Sequence, residues 1–363
     1  AAEALTMAAH HQPGRGGPIR RVAITGGTHG NESNGVQLAK HLIRHPALAQ
    51  RESFRSTVLL NNLAAIERNV RYCDEDLNRC FTLADLADES RNSIEAKRAR
   101  EINSQLGPKG SEGAVDYVLD LHNTTANTGV AIMCSPHDRL SHALVAHLQA
   151  KDPSVRLLLW NRSVTDYPLM PSVGKHGMTF EVGPSPWGCV VGSQYEQSLT
   201  LIGHALDFLH AHNTALESAD GTGWREASVE AFVSTGKRSF PRDAEGELAG
   251  MIHPQLQGRD FEPLRRGEPI FLSHSLEVTR FGDEAEAAAA APGVEAAHAE
   301  VCRPPEPLLS PSCQAAIHPV LEEQEVYAFF VGEAAYYEPS KDIAFMLARK
   351  ETLAVSLPAE VSK

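Results

Sequence analysis

Gly26-Gly27-Thr28-His29-Gly30-Asn31-Glu32 lies between two unlike patterns. Before it, Val22-Ala23-Ile24 is a short apolar run of the kind that forms a buried strand. After it, Val36, Leu38, Ala39, Leu42 and Ile43 recur on one side of a helix. Strand, glycine-rich turn and helix in that order predict an α/β unit, and ligands of open α/β sheets bind at that edge. The glycines allow a sharp turn and a close backbone approach. His29 and Glu32, three residues apart on the turn, offer an imidazole and a carboxylate to one point, two ligands of the kind zinc takes. A catalytic zinc also needs a third protein ligand and an open position for water. The spacing alone is weak, because it recurs at His274-Ser275-Leu276-Glu277 in what reads as an ordinary strand.

The chain has 363 residues, enough for two domains and a large core. Hydrophobic residues make up 42% and charged ones 22%, as in an ordinary globular protein. A net charge of −13 argues against a nucleic-acid backbone as partner, without excluding small anions met by a local arginine cluster. No apolar run approaches the ~18 residues of a membrane span. The first residues lack the charged-then-apolar order of a signal peptide, so none is expected. Cys73, Cys80, Cys134, Cys189, Cys302 and Cys313 are too scattered for a zinc finger or a disulfide framework. A reducing, cytoplasmic setting is therefore expected.

Residues 1–20 have no periodicity and are expected to be a mobile tail. Phe54 to Leu60 reads as a second strand. Arg71-Tyr72-Cys73-Asp74-Glu75-Asp76-Leu77-Asn78-Arg79 is a charge-dense loop in which two arginines and an asparagine could grip a carboxylate. The alternative is a solvated loop whose arginines pair with Asp74, Glu75 and Asp76. Asn92 to Leu106 reads as a charged helix stopped by Gly107-Pro108, and Tyr117 to His122 as the next strand.

His122 lies 90 residues beyond Glu32, at a strand end where the third ligand of a zinc centre is expected, though a hydrogen-bonded core histidine is the plainer reading. Asp120 shares its strand face and could orient it, or could be a turn partner. Gly129 to Cys134 and Val155 to Trp160 read as strands, and Leu140 to Leu148 as a helix. Tyr167 to Gly177 is a proline- and glycine-containing loop suited to covering a site. Met178-Thr179-Phe180-Glu181-Val182-Gly183-Pro184 sets a carboxylate inside an apolar strand, which calls for a partner or a task unless that face is exposed. Gln197 to His210 is an amphipathic helix.

Beyond Asn213, helical periodicity weakens and short strand-like segments alternate with turns. The expected organisation is a catalytic domain over 21–213 and a smaller β-rich domain over 214–363. Residues 284–312 are rich in alanine and proline and read as a disordered insertion.

Taken together, these motifs resemble the aspartoacylase family of zinc amidohydrolases. They are the 26–32 turn, Asp76-Leu77-Asn78-Arg79, Asp120-Leu121-His122-Asn123-Thr124-Thr125, Glu181-Val182-Gly183-Pro184 and Glu333-Ala334-Ala335-Tyr336-Tyr337-Glu338. The likeness covers about residues 21 to 350 apart from the insertion, and it is the combination that is specific. It implies an α/β fold, a zinc carboxypeptidase-like mixed sheet flanked by helices with a smaller C-terminal β-rich domain. It implies one zinc per chain on His29, Glu32 and His122, with Asp120 and Asp76 behind the ligands. Glu181 would be the general base, and Arg71 would polarise the amide carbonyl. Asn78 and Arg79 would hold the substrate's α-carboxylate, and Tyr167 and Tyr336 would complete the pocket. The substrate would be a small N-acyl amino acid, cleaved to a carboxylate and a free amino acid. Members are often oligomeric, so a homo-oligomer is among the expectations.

One position departs from the aspartate-selective members, which carry an arginine four residues after the tyrosine matching Tyr167. Here it is Pro171, which offers no donor for a second carboxylate. Ser172-Val173-Gly174-Lys175 and Thr124-Thr125-Ala126-Asn127 are closer to the type III aminoacylase branch, which favours N-acetylated aromatic amino acids and S-conjugated N-acetylcysteines. The expectation is that substrate class. N-acetylaspartate is the alternative should Lys175 compensate for Pro171. A peptidase and a catalytically inactive zinc-binding scaffold are the other readings.

Overall fold

The computed structural model describes residues 16–160, 166–218, 223–283, 325–338 and 341–359. The expected tail lies outside these residues except for its last five positions, and the alanine- and proline-rich insertion lies outside them altogether. The chain divides into two compact units.

Of the described residues, the first unit comprises those within 16–123, 129–231 and 352–359. Its sheet has the order β2 (Arg55–Leu60), β1 (Arg21–Gly26), β3 (Tyr117–Asn123), β6 (His176–Gly183), β4 (Gly129–Cys134) and β5 (Val155–Leu159). Strands β2, β1, β3 and β6 run parallel, and β4 is antiparallel to β6. The sheet is thus mixed, as expected, and helices accompany it: α1 (Ser33–Arg44), α2 (Leu63–Arg68), α3 (Leu83–Ala87), α4 (Ile94–Leu106), α5 (Arg139–Lys151) and α6 (Gly192–Glu217). The strand order reverses between β1 and β3, so their C-terminal ends flank the crevice in which such sheets bind ligands. β3 is buried along its whole length, and its apolar positions Val118, Leu119 and Leu121 suit a strand covered on both faces.

One core cluster anchors the site-bearing loops. Leu77, Cys80 and Phe81 pack with Ala23 and Val118 of the sheet, Ala99, Ile102 and Leu106 of α4, and Met170 and Val173. Burying Leu77 and Phe81 fully contributes about 1.5–3 kcal/mol each. The charge-dense 71–79 segment is therefore nailed down by apolar residues at its far end.

Of the described residues, the second unit comprises 124–128, 232–283, 325–338 and 341–351. Within it β10 (Pro269–Ser273) lies between β8 (Gly250–Ile252) and β11 (Val278–Arg280), all antiparallel. β12 (Val326–Phe329) pairs with β9 (Pro263–Leu264) and with the first residues of β13 (Phe345–Pro358). Its core includes Phe240, Ile252, Leu264, Ile270, Phe271 and Phe345. The units are not contiguous halves of the chain. Strands β7 (Trp224–Arg238) and β13 each contribute residues to both.

Two local expectations need correction, and two short helices lie outside any expectation. His274 to Glu277 is an exposed turn between β10 and β11 and not a strand; Leu276 takes a positive φ there and the Ser273 hydroxyl accepts the Glu277 amide. α6 runs past both ends of the stretch that shows a clear apolar stripe. α2 and α3 are six and five residues long, too short for periodicity to reveal.

Candidate metal centre

The turn after β1 is shaped by its glycines. Gly27 has φ +73°, and a Cβ on Gly30 would lie 2.1 Å from the Ala65 carbonyl carbon of α2. Only glycine lets α2 approach so closely. The Gly30 amide donates to the Arg71 carbonyl at 3.2 Å, which joins this turn to the 71–79 loop.

His29, Glu32 and His122 are all buried, and their ligand atoms lie within 4.8 Å of one another. No other such group of three occurs among the described residues. His29 Nδ1 is 2.6 Å from Glu32 Oε1, His122 Nδ1 is 2.9 Å from Glu32 Oε2, and the two Nδ1 atoms are 3.2 Å apart. Two nitrogens bound to one tetrahedral zinc at the usual distance would be roughly 3.3 Å apart. The opposite ring nitrogens are each met by a carboxylate. His122 Nε2 is 2.7 Å from Asp120 Oδ2, and His29 Nε2 is 3.0 Å from Asp76 Oδ1. That arrangement leaves each Nδ1 turned toward the shared point and each ring fixed in orientation. Asp120 is itself held by the hydroxyls of Thr25 and Thr28 at 2.6 and 3.0 Å. The donor set and its outer carboxylates suit a divalent cation of the zinc type.

The electrostatics agree. Burial alone would raise the Glu32 carboxyl, yet the His29 and His122 imidazoles outweigh it and hold it well below the usual carboxylate range. Asp76 is likewise raised by burial but lowered overall by His29, Arg71 and Arg79. Burial would lower His122, but Asp120 and Glu32 raise it well above an ordinary histidine. The centre favours positive charge among fixed carboxylates.

Glu181 on β6 is in register with His122 on β3, and both belong to the sheet face that carries Asp120. Arg71 reaches Glu32 at 3.3 Å and Asp76 at 3.4 Å. The loop's first arginine thus pairs with an acid of its own loop, as the plainer reading had it, while also standing beside a candidate ligand. Asn78 accepts the Met170 amide through Oδ1 at 2.7 Å. Only the oxygen can accept an N–H, so its amide nitrogen is the group left to donate. Arg79 donates to the Asn78 carbonyl through Nη1 at 2.7 Å, and its side chain is largely exposed.

A cavity of about 370 Å³ opens on the same sheet face, lined among others by Met133, Trp160, Tyr167, Pro171, Lys175 and Thr179. Thr179 stands two positions before Glu181 on β6, so the cavity begins roughly 7 Å along the strand from it. Lys175 is paired with Asp116 at 2.8 Å. Lys109 at the cavity's edge bonds Asp166 and the carbonyls of Phe81 and Tyr167 at 2.6–2.7 Å. Both amino groups are thus engaged by protein partners.

Tyr336 belongs to the second unit, at the end of a short turn preceded by Glu333. The Glu333 carboxylate is an organising group that residue-by-residue reading missed. It accepts from the Thr124 hydroxyl, the Thr125 amide at 2.7 Å and hydroxyl at 3.0 Å, and the Ala335 amide at 3.1 Å. Its only sequence signal is membership of the 333–338 motif.

Residues 18–209 match the succinylglutamate desuccinylase/aspartoacylase catalytic domain, and residues 227–289 match the barrel-sandwich hybrid domain of the same family. The chain belongs to the succinylglutamate desuccinylase/aspartoacylase family. It is 38% identical over 348 residues to a human protein named N-acyl-aromatic-L-amino acid amidohydrolase (carboxylate-forming), covering 94% of each chain. It is 33% identical over 342 residues to a zebrafish (Danio rerio) aspartoacylase, covering 93% of this chain and 94% of that one. Its structure resembles the crystal structure of murine aminoacylase 3 with a TM-score of 0.77 at 36% identity, covering 94% of this chain and 99% of the other. No helix among the described residues is long and apolar enough to cross a membrane.

Proposed function

We propose that this chain is a zinc-dependent amidohydrolase. Its substrates are N-acyl, chiefly N-acetyl, L-amino acids with aromatic or S-conjugated cysteine side chains. It hydrolyses the amide to a carboxylate and a free amino acid. The observation that carries the reading is the buried convergence of His29, Glu32 and His122 with a carboxylate behind each imidazole. Relatives named for amide hydrolysis of N-acyl aromatic amino acids, similar over nearly the whole chain, support it.

His29, Glu32 and His122 would hold one zinc, which would supply Lewis-acid polarisation of the carbonyl and a more acidic water. Glu181, beside His122 on the sheet, takes the proton of the attacking water. As the C–N bond breaks, the same carboxyl returns that proton to the leaving nitrogen, so the products are a carboxylate and an amine. Arg71 donates to the carbonyl oxygen as negative charge gathers there. The Asn78 amide nitrogen and Arg79 hold the α-carboxylate. Tyr167 is assigned to completing the pocket on family resemblance.

The substrate class rests on the cavity. Met133, Trp160, Tyr167 and Pro171 present apolar or aromatic surface, and its lysines are already paired. A second substrate carboxylate entering there would lose water without meeting a lysine that is not already paired. The described cysteines Cys73, Cys80, Cys134 and Cys189 are free thiols, which fits a reducing compartment such as the cytoplasm.

The test is a panel of N-acetyl-L-tyrosine, N-acetyl-L-aspartate and an unblocked dipeptide, with and without a chelator. The expected order of kcat/KM is N-acetyltyrosine above N-acetylaspartate, with the dipeptide uncleaved and all turnover chelator-sensitive. Absence of chelator-sensitive turnover of any N-acyl amino acid overturns the reading. The reverse order would assign the chain to aspartoacylase-type substrates, with Lys175 released from Asp116.

A further inference from the structure

Glu95 is a carboxylate with no exposed surface, on the first turn of α4, and the proposed chemistry does not use it. Its oxygens meet four N–H donors. Oε1 accepts from the Asn62 side chain at 3.0 Å and the Cys73 amide at 2.7 Å. Oε2 accepts from the Asp74 amide at 3.1 Å and the Glu75 amide at 3.3 Å. An ionised carboxylate has about four acceptor sites, so this one is filled by the protein. Three successive backbone amides wrapped around an anion form the concavity that other proteins use to bind phosphate. Here the anion is the chain's own side chain.

The bonding is reciprocal. The Asp74 carboxylate accepts the Ile94 amide at 2.8 Å, and the Ser93 hydroxyl, which caps α4, also donates to Glu75. The loop therefore satisfies one orphan donor of the helix terminus, the Ile94 amide, while Glu95 satisfies three amides of the loop. On either side of this clamp, Arg71 and Asp76 lead to the metal centre, through the Gly30 amide and the His29 ring.

We propose that Glu95 is a positioning residue for substrate recognition. By holding the amides of residues 73–75 it fixes the loop that presents Arg71, Asn78 and Arg79 to the α-carboxylate and carbonyl of an N-acyl amino acid. This rests on the amidohydrolase reading. Leu77 and Phe81 keep their own burial in the core, so a polar change at Glu95 loosens the loop without unfolding it.

The test is Glu95→Gln in the full chain loaded with zinc. The amide nitrogen replaces one acceptor and faces backbone donors. Two readouts are taken. The first is hydrogen exchange, expected to accelerate about tenfold or more over 71–79 and to stay at wild-type rates in β1, β3 and β6. The second is the ratio of kcat/KM for N-acetyl-L-tyrosine to that for N-acetyltyramine, which lacks the carboxylate. It is expected to fall about tenfold, mainly through a higher KM for N-acetyltyrosine. Unchanged exchange over 71–79 together with an unchanged ratio overturns the proposal. If Glu95→Gln speeds exchange everywhere, Glu95→Asp, which keeps the charge on a shorter stem, is judged by the same two readouts. If the wild type hydrolyses neither compound, the amidohydrolase reading fails, and exchange alone decides whether Glu95 holds the loop.

Discussion

Glu181 illustrates how one residue's task follows from its neighbours. A carboxylate within the apolar run Met178 to Val182 was conspicuous in the sequence, but whether its face was solvent or site was open. The register with His122 puts it on the site face. In the proposed reaction Glu181→Gln keeps zinc and lowers kcat by about two to four decades. Metal analysis beside steady-state rates checks this, and wild-type kcat with zinc bound would remove Glu181 as the base. The histidine and carboxylate positions of the centre were legible because short-range spacing and strand-end placement are local properties. Asn78 was legible as polar and loop-borne, but not that Met170 would turn its amide group. Glu95 carried no signal at all, since on a charged helix it resembles any exposed first-turn acid. Only the fold brings the 73–75 amides to it.

Among the elements, the strand, turn and helix from β1 to α1 followed directly from the apolar run, the glycines and the helical stripe. α5 and α6 add a feature that composition hides. His147 on α5, packed near His204 and Phe208, is lowered to about 4 by burial and by the cations Lys151 and Arg225. His212 on α6 is lowered to about 4 by burial, although it donates to the Gly17 carbonyl. Both are neutral in the fold where an unfolded histidine would already be charged. The unfolded chain then binds more protons, so this stability is present above about pH 6.5 and is lost as pH falls toward about 4. Accordingly His147→Phe narrows the drop in Tm between pH 7.5 and pH 5 relative to wild type. Thermal melts at the two pH values check it, and an equal drop in both proteins contradicts the assignment.

At the scale of the molecule, the α/β class and the β-rich C-terminal region were readable from the order and texture of segments, whereas the mixed sheet was implied only by the family resemblance. The division into units was not, because residues 124–128 and 352–359 each join the unit their neighbours in sequence do not. The second return goes with β13 lying beside β7, and the first with the bonds from Thr124 and Thr125 to Glu333, neither of which a local pattern encodes. In the proposed reading one zinc, held by the three buried residues His29, Glu32 and His122, produces amide hydrolysis. The most direct test of that reading is to strip the protein with a chelator and titrate zinc back while following N-acetyl-L-tyrosine hydrolysis. The account predicts no turnover without metal and a linear rise that levels off at one zinc per chain. Full activity in the stripped protein, or none regained at one equivalent, would contradict it.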